Sequence, residues 1–562
     1  MQIIQNLPPK FPDNTWVALD LELANAVKSK LHRPTTGEFA CLTVCADPET
    51  VYIITDKDAI NEALQGLSNC IWIFHNAKFD LIHLIRWAGI QHERIWDTMI
   101  VEQLLWSGYF GSFSLADLAR RYLDIYLDKT LQDKWDEVDL HGIPQNYLEY
   151  AASDASTTLK VCMAQKKYVK QSHFDLWYKM ELPVIWAVMG LQGFCVDVEK
   201  WLALSESNKT KGIEIDATLP INPRSPKQVR EYLSKSGFRG IPSTGEDVLN
   251  QWIARKPDTD AAKVATQILE SRMYSKRAST YGEKWVEEHV EYVDGLPMVF
   301  GNYHTIGAET GRFSCSNPNM TQIPARDTNE FRACFIARPG HKLIIVDYSQ
   351  QEIGIAAYLS QDKHLKEIFN SGKDIYIQMA KLMYGVDIDK KDPLRKRMKS
   401  VVLGTNYGMS AYGLAKKEGI TEDEAEDILK RVAKAFPGLT SWMNTQQRCK
   451  SKTTTVMGRV AWLNSYSGQC PRNALNNPIQ GTASDMLKMA MVKIHQRLKD
   501  FPIHFPMVAA IHDELVLDVP EIWVEDVAKI VQDTMVEVAN DMMPGMSFRA
   551  SVAIGNNWSE KE

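Results

Sequence analysis

Asp20 and Glu22 stand in Val17-Ala-Leu-Asp-Leu-Glu-Leu23, where strict alternation places both carboxylates on one strand face against apolar neighbours. Two like charges side by side repel unless a cation joins them. Asn76-Ala-Lys-Phe-Asp80 follows the apolar run Ile71 to Phe74, and Tyr150-Ala-Ala-Ser-Asp154 sets a phenol and a carboxylate on one helical face at i and i+4. Such oxygen ligands suit a pair of Mg²⁺ ions, which generate hydroxide from water and clamp both oxygens of an in-line phosphoryl displacement. Each acid taken singly also fits a helix cap or a surface position. Asp97, ahead of Thr98 and Met99-Ile-Val, reads as an ordinary N-cap.

A second set of acids lies further along. Lys342-Leu-Ile-Ile-Val346 is a strand pattern that delivers Asp347 at its C-terminal end, and Tyr348-Ser-Gln-Gln-Glu352 leads into a helix with Ile353, Ala356, Ala357 and Leu359 inward. Asp513 and Glu514, after His512, fall between the apolar runs Met507 to Ile511 and Leu515 to Val519, the pattern of a β-hairpin with acids at its tip. Two strands that each present an Asp can share a metal pair aimed at a triphosphate. Standing alone, Asp513 fits a tight turn equally well. Between these acids Arg395, Lys399, Leu403 and Tyr407 recur every four residues, forming one slowly drifting helical stripe from cationic through apolar to aromatic. Its cationic end could hold a triphosphate and Tyr407 could stack on a base; a Lys/Arg stripe without such neighbours is more often a solvated face.

The elements that must position these residues follow from the pattern of the chain. Up to about residue 165, short β-type runs (Trp16 to Leu19, Phe39 to Val44, Val51 to Ile54, Ile71 to Phe74) alternate with helical patterns, as in an α/β domain. Phe174 to Glu291 reads as almost wholly helical and polar, broken at Asn222 to Pro226 and Pro242 to Gly245, which suits an extended helical arm. Gly307 to Pro324 is loop-like, helices fill Leu365 to Lys450, and the end returns to β. With 45% hydrophobic and 24% charged residues over 562 positions, the composition excludes disordered and fibrous classes and allows three or four domains. No apolar run approaches the roughly 18–20 residues of a membrane span. Met1 to Asn14 carries neither a signal-peptide nor an Arg-rich transit pattern, so a cytoplasmic location is expected. Nine scattered cysteines agree with reducing surroundings; Cys41 and Cys45 lack a second Cys or His pair at zinc spacing and read as core. A net charge of −6 argues mildly against nucleic acid, yet it hides local grouping: Lys390, Lys391, Arg395, Lys396, Arg397 and Lys399 crowd together, and Arg, Lys and aromatic residues interleave between Lys263 and Lys284.

In order and spacing, Asp20, Glu22, Asn76, Asp80, Tyr150 and Asp154 resemble the three motifs of the tyrosine-bearing DEDD 3′–5′ exonucleases. By that resemblance the four acids hold two metals, Tyr150 orients the attacking water, and Asn76 contacts DNA. Thr310-Gly-Arg-Phe-Ser-Cys-Ser-Asn-Pro-Asn319, Asp347 to Glu352, Arg395 to Tyr407 with Gly408-Met-Ser-Ala, Asn476-Asn-Pro-Ile-Gln-Gly-Thr-Ala-Ser-Asp485 and His512-Asp-Glu514 resemble the motifs of family A DNA polymerases. That match runs from about Glu181 to Gly555-Asn-Asn-Trp558, and Asn222-Pro-Arg-Ser-Pro-Lys227 with Ser279-Thr-Tyr281 resembles the thumb.

The resemblance implies an RNase H-like α/β exonuclease domain (1–168), a helical thumb and palm entry (169–303), a palm in two parts (304–360 and 441–562) and fingers (361–440), arranged as a right hand. It implies Asp347, Asp513 and the Tyr348 position as metal ligands, with Glu514 supporting and Lys399 able to protonate the leaving pyrophosphate. Arg395, Lys399, Leu403, Tyr407 and Gln350 would form the nucleotide site, and Glu352 would block a ribose 2′-hydroxyl. Arg312, Asn317, Gln322, Arg472, Asn476, Gln480 and His512 would contact primer-template DNA. The implied cofactors are two Mg²⁺ per site, with Mn²⁺ as an alternative. The implied partners are primer-template DNA and deoxynucleoside triphosphates, together with a helicase, primase or other replisome protein; no membrane is involved, and a monomer is expected. Leu403 stands where most members carry Phe or Tyr, so discrimination against dideoxynucleotides should stay intact; Gly354 replaces a usual Arg, which puts a supporting contact in doubt. The chain opens at the exonuclease motifs without a 5′-nuclease domain, a build that resembles phage or organellar replicative enzymes; with no transit pattern a phage or bacterial source is expected, and primer removal is expected to fall to another protein. A single-subunit RNA polymerase would lack Glu352 in this setting and the exonuclease acids. A DNA-binding exonuclease with an inactive polymerase module is the remaining alternative.

Overall fold

Apolar and polar residues alternate along the first hundred positions, and the computed structural model turns them into a six-stranded sheet of β1 (Gln2–Ile4), β2 (Trp16–Ala24), β3 (Glu38–Asp47), β4 (Thr50–Ile54), β5 (Ile71–Phe74) and β6 (Ile95–Asp97), in the order β1-β4-β3-β2-β5-β6. Described are all residues except 27–29, 31–32, 34–35, 90–91, 133, 190, 192, 326–328, 407, 504–505 and 561–562, with the side chains of 403 and 406 also outside the described set. β2 pairs antiparallel with β3 and parallel with β5, and the Gln145–Gln165 helix packs across β2 and β3. Cys41 and Cys45 are buried in this sheet, as expected of core residues.

The following stretch departs from the all-helical expectation. After the helices Gln171–Leu176 and Leu182–Met189, β7 (Phe194–Val196) is a buried strand, and it joins β8 (Val290–Val293), β9 (Leu296–Val299) and β12 (Phe335–Ile336) in a second sheet ordered β12-β7-β9-β8. Three apolar residues form too short a run for period reading, and their partners lie roughly a hundred or more positions away. The helical arm itself is as expected. Val198–Thr218 and Asp260–Thr280 pack together, and Leu219, Val229, Leu233, Phe238, Ile241 and Leu249 belong to a small core of its own. Its breaks carry sequence signals, since Ser225 caps the Pro226–Lys235 helix with Pro at the first turn.

β10 (Asn302–His304), just before the expected loop, pairs with β11 (Ser314–Ser316) inside it. β13 (His341–Tyr348) then forms the centre of a four-stranded antiparallel sheet. Six helices from Lys363–Asn370 to Pro437–Gln447 follow, and β14 (Lys452–Thr454) pairs with β15 (Val460–Trp462). β16 (Met507–Ile511), β17 (Glu514–Pro520) and β18 (Ala550–Gly555) complete the sheet in the order β16-β17-β13-β18. The end of the chain is not simply β, because the 28-residue helix Cys470–Arg497, with Pro478 inside it, packs on the helix Val524–Met542, which lies against β13 and β18. Among the described residues no helix is long and apolar enough to cross a membrane.

The N-terminal sheet meets the rest through an aromatic seam. Trp462 stacks on Trp106 with ring centroids 5.7 Å apart, its N–H groups donate to Leu105 O and Ser107 O at 2.8 Å, and a Cβ at Gly108 would come 2.2 Å from Trp462 O. Only glycine, at φ +83°, permits that approach.

Candidate active sites

Asp20 and Glu22 project from β2 on one face, as the alternation requires, and Asp154 reaches them from the Gln145–Gln165 helix. Their carboxylate oxygens lie within 4.8 Å of one another, the one such three-ligand group among the described residues. Burial, then Asp154, pushes the Asp20 carboxyl up to about 7; burial, then Asp20, pushes Glu22 and Asp80 well above the carboxylate range. Asp20 Oδ2 is shut from solvent with no hydrogen-bond partner. An orphaned carboxylate oxygen among crowded acids, with only oxygen donors, fits a hard divalent cation. Asp80 stands beside this group rather than in it: its Oδ1 accepts from Leu21 N–H at 3.1 Å. Tyr150 shares a helix face with Asp154, and burial, then Asp154, pushes its phenol far above the usual range, so it keeps its proton.

Lys129 is a member that sequence reading missed. Its Nζ lies 2.5 Å from Asp154 Oδ2 and 3.3 Å from Tyr150 Oη, and it lowers the pKa of Asp20, Glu22 and Asp154. No spacing rule singles out one lysine in an irregular segment. Asp97 caps the Thr98–Trp106 helix through Met99 and Ile100 N–H, as expected, and also accepts from Asn76 and Ala77 N–H at 3.2 and 2.7 Å, which fixes where the Asp80 helix begins.

In the second constellation, β13 sets Asp347 opposite Glu514 of β17, and Tyr348 N–H donates to Asp513 O at 3.2 Å. His512 and Asp513 form the two-residue hairpin turn, with Ile511 paired to Glu514. Glu514 is buried and turned inward, taking Trp558 Nε1–H at 2.6 Å with Arg332 at 3.7 Å, so it braces the turn. Tyr348 commits its phenol to Met535 O, which leaves its main chain as the part a metal could use. Asn76, Asn317, Gln350 and His512, all expected at a site, adopt left-handed backbone with φ between 52° and 72°, a conformation that costs energy outside glycine and collects at functional positions.

The helix Pro393–Asn406 carries the predicted stripe. Lys399 is exposed on it, whereas Arg395 is already engaged by Asp374 at 2.7 and 2.9 Å, and Asp374 caps the Ile375–Tyr384 helix. Tyr407 and the Leu403 side chain lie outside the described residues. Arg312 is paired with Glu352 at 2.9 Å, so an expected DNA contact and the expected 2′-hydroxyl block hold each other. Arg472, Asn476 and Gln480 follow one another at every fourth position of the Cys470–Arg497 helix, with Arg472 exposed and the other two half-buried. Gln322 accepts the Tyr281 hydroxyl at its carbonyl, 2.7 Å away. At Gly354 a Cβ would come 2.5 Å from Phe369 and 2.6 Å from Phe548, so two phenylalanines occupy the space a side chain would need.

A carboxylate-bearing nuclease sheet joined to a palm-like sheet with paired acids defines an exonuclease domain followed by a polymerase domain. The model for DNA polymerase family A matches residues 199–560, and that for the 3′–5′ exonuclease domain matches residues 6–169; the chain belongs to DNA polymerase family A. Among similar proteins, DNA polymerase I of Chloroflexus aurantiacus is 30% identical over 86% of this chain and 54% of its own length. DNA polymerase I of Pseudomonas aeruginosa is 29% identical over 90% and 58%. The chain thus spans about half the length of such relatives. A solved structure described as the POL domain of Pol1 from M. smegmatis in complex with DNA primer-template and dNTP matches with a TM-score of 0.81 at 25% identity, over 97% of this chain and 95% of that one.

Proposed function

We propose that the protein is a template-directed DNA polymerase that adds deoxynucleotides to a primer 3′ end and trims that end with its own 3′–5′ exonuclease. The carrying observation is the placement of Asp347 and the Asp513 turn side by side on adjacent strands of one sheet. The Asp20, Glu22 and Asp154 cluster supports the second activity. Asp20, Glu22, Asp80 and Asp154 would hold one pair of Mg²⁺ ions, and Asp347, Asp513 and the Tyr348 main chain another, with Mn²⁺ as an alternative. When bound, such ions supply an activated water at the first site and neutralise phosphoryl charge at the second.

The chain's own residues do the rest. The protonated Tyr150 hydroxyl orients the attacking water beside Asp154. Glu352, held by Arg312, forms a wall where a ribose 2′-hydroxyl would fall. Lys399 stands ready for the triphosphate, and Arg395 would exchange Asp374 for it. Arg472, Asn476 and Gln480 offer one helix stripe to the primer-template. A gel with a labelled recessed primer and Mg²⁺ tests this: extension with deoxynucleotides, shortening without them. Asp347→Ala should abolish extension and spare shortening. Extension that survives this change would refute the assignment, and shortening in both lanes of the unsubstituted protein would point to a nuclease with an inactive polymerase module.

A further inference from the structure

The Ala77–Ala88 helix has two working sides. Asp80 faces β2 through Leu21 N–H. Lys78, about 200° earlier around the helix axis, faces the polymerase part. Its Nζ donates to Asn302 Oδ1 at 2.8 Å and to Tyr303 O at 2.5 Å, both in β10, and among the described residues no carboxylate pairs with it. Tyr303 carries the contact onward in two directions. It pairs with Cys315 in β11, within the Thr310 to Asn319 motif, and its Oη accepts from Ala510 N–H at 3.4 Å in β16, the strand that ends at the His512-Asp513 turn. A continuous chain of bonds therefore runs from one acidic site to the other.

The surroundings of Lys78 make these bonds matter. A cavity of about 1010 Å³ opens beside it, lined by Ile85, Leu182, Trp186, Met298 and Phe300 among others. Close-packed interiors transmit position, whereas a hollow seam does so poorly. The Leu182–Met189 helix touches the Ala77–Ala88 helix on this side, and the hydrogen bonds of Lys78 tie the latter to β10; Gln103 Nε2–H to Ile306 O at 3.0 Å serves the neighbouring helix instead.

We infer that Lys78 is a positioning residue that locks the exonuclease helix to the strands carrying the Asp513 turn, and so sets how readily a primer end leaving the polymerase cleft reaches the exonuclease acids. The inference rests on the two-activity reading above. The experiment compares Lys78→Met, Lys78→Arg and Asn302→Leu in the full chain, each checked for folding by thermal unfolding. Excision kcat and KM are measured on a short single strand, which needs no transfer, and on a mismatched primer-template, which does. For Lys78→Met the primer-template rate should fall relative to the single-strand rate by about threefold or more, within the range that coupling residues contribute. Lys78→Arg should recover part of the ratio, and Asn302→Leu should reproduce the loss without touching the exonuclease domain. Equal falls on both substrates would make Lys78 a simple prop for Asp80, and a ratio that changes less or rises would also overturn the inference. Loss of both activities in the unsubstituted protein is a distinct result, which would reject the two-activity reading itself.

Discussion

Lys129 places a positive charge among three acids that burial and mutual repulsion would otherwise keep from ionising together. By lowering their pKa values it lets them reach the charged, ligand-competent form at lower pH. Lys129→Met should therefore reduce single-strand excision by about tenfold or more through the lost charge-assisted bonds. It should also move the onset of that activity to higher pH, because the acids then ionise later. Primer extension should be unchanged. A pH–rate profile on the variant and the unsubstituted protein checks both, and an onset that moves down in pH would contradict this electrostatic account. At the same scale, Phe369 and Phe548 occupy the space beside Gly354. Their edge-on rings, 5.0 Å apart, fill the place of the missing side chain, so the glycine belongs to the packing of this chain.

At the scale of elements, Asp97 joins two helices that begin on neighbouring strands. Four backbone N–H groups depend on one carboxylate, two of them at the start of the helix that carries Asp80. Asp97→Ala would leave these donors without their acceptor at a cost of about 2–4 kcal/mol. The expected outcome is a lower unfolding midpoint and a loss of excision larger than any loss of extension; equal losses in both activities would mean that Asp97 supports the whole chain rather than this helix. As a cap, Asp97 was readable from Asp-Thr-Met-Ile alone. Its second role was not, since Asn76 and Ala77 lie some twenty positions away in the chain and come near only when β5 and β6 pair. The short strand β7 and the Cys470–Arg497 helix escaped for related reasons. One is too brief to show a period, and the other is buried on most sides and interrupted by Pro478, which blurs its apolar stripe.

Across the whole molecule, a buried set of four charges ties three distant regions together. Glu181 follows the N-terminal domain, Arg459 immediately precedes β15, and Asp485 and Lys488 belong to the long C-terminal helix. Lys488 Nζ reaches Glu181 at 2.7 Å and Arg459 reaches Asp485 at 2.8 Å, and Arg459 also pairs with Glu181. Two acids and two bases balance with almost no solvent access. Lys488→Met breaks that balance and should destabilise the fold by about 3–5 kcal/mol, because Glu181 would lose one of its two cations while buried. Denaturant unfolding measures the loss, and adding Glu181→Gln should recover part of it. No recovery would show that the cost comes from packing around Lys488 and not from charge. Arg459 also crowds Gly311, where a Cβ would come 2.6 Å from its Nε, so the same network backs the loop that presents Arg312.

From its sequence alone this protein declared its acids, the alternation that aims Asp20 and Glu22 one way, the strand that ends at Asp347 and the hairpin that turns at Asp513. Each is a local matter of side-chain period or turn chemistry, complete within a few residues. Tertiary structure alone decided that Lys129 joins the exonuclease acids, that Arg312 holds Glu352, that Asp374 holds Arg395 and that Lys488 meets Glu181. These partners stand between 21 and 307 positions apart, and no spacing rule reaches across such intervals. They are chosen when strands and helices bury their apolar faces and leave particular charged groups no neighbour but one another.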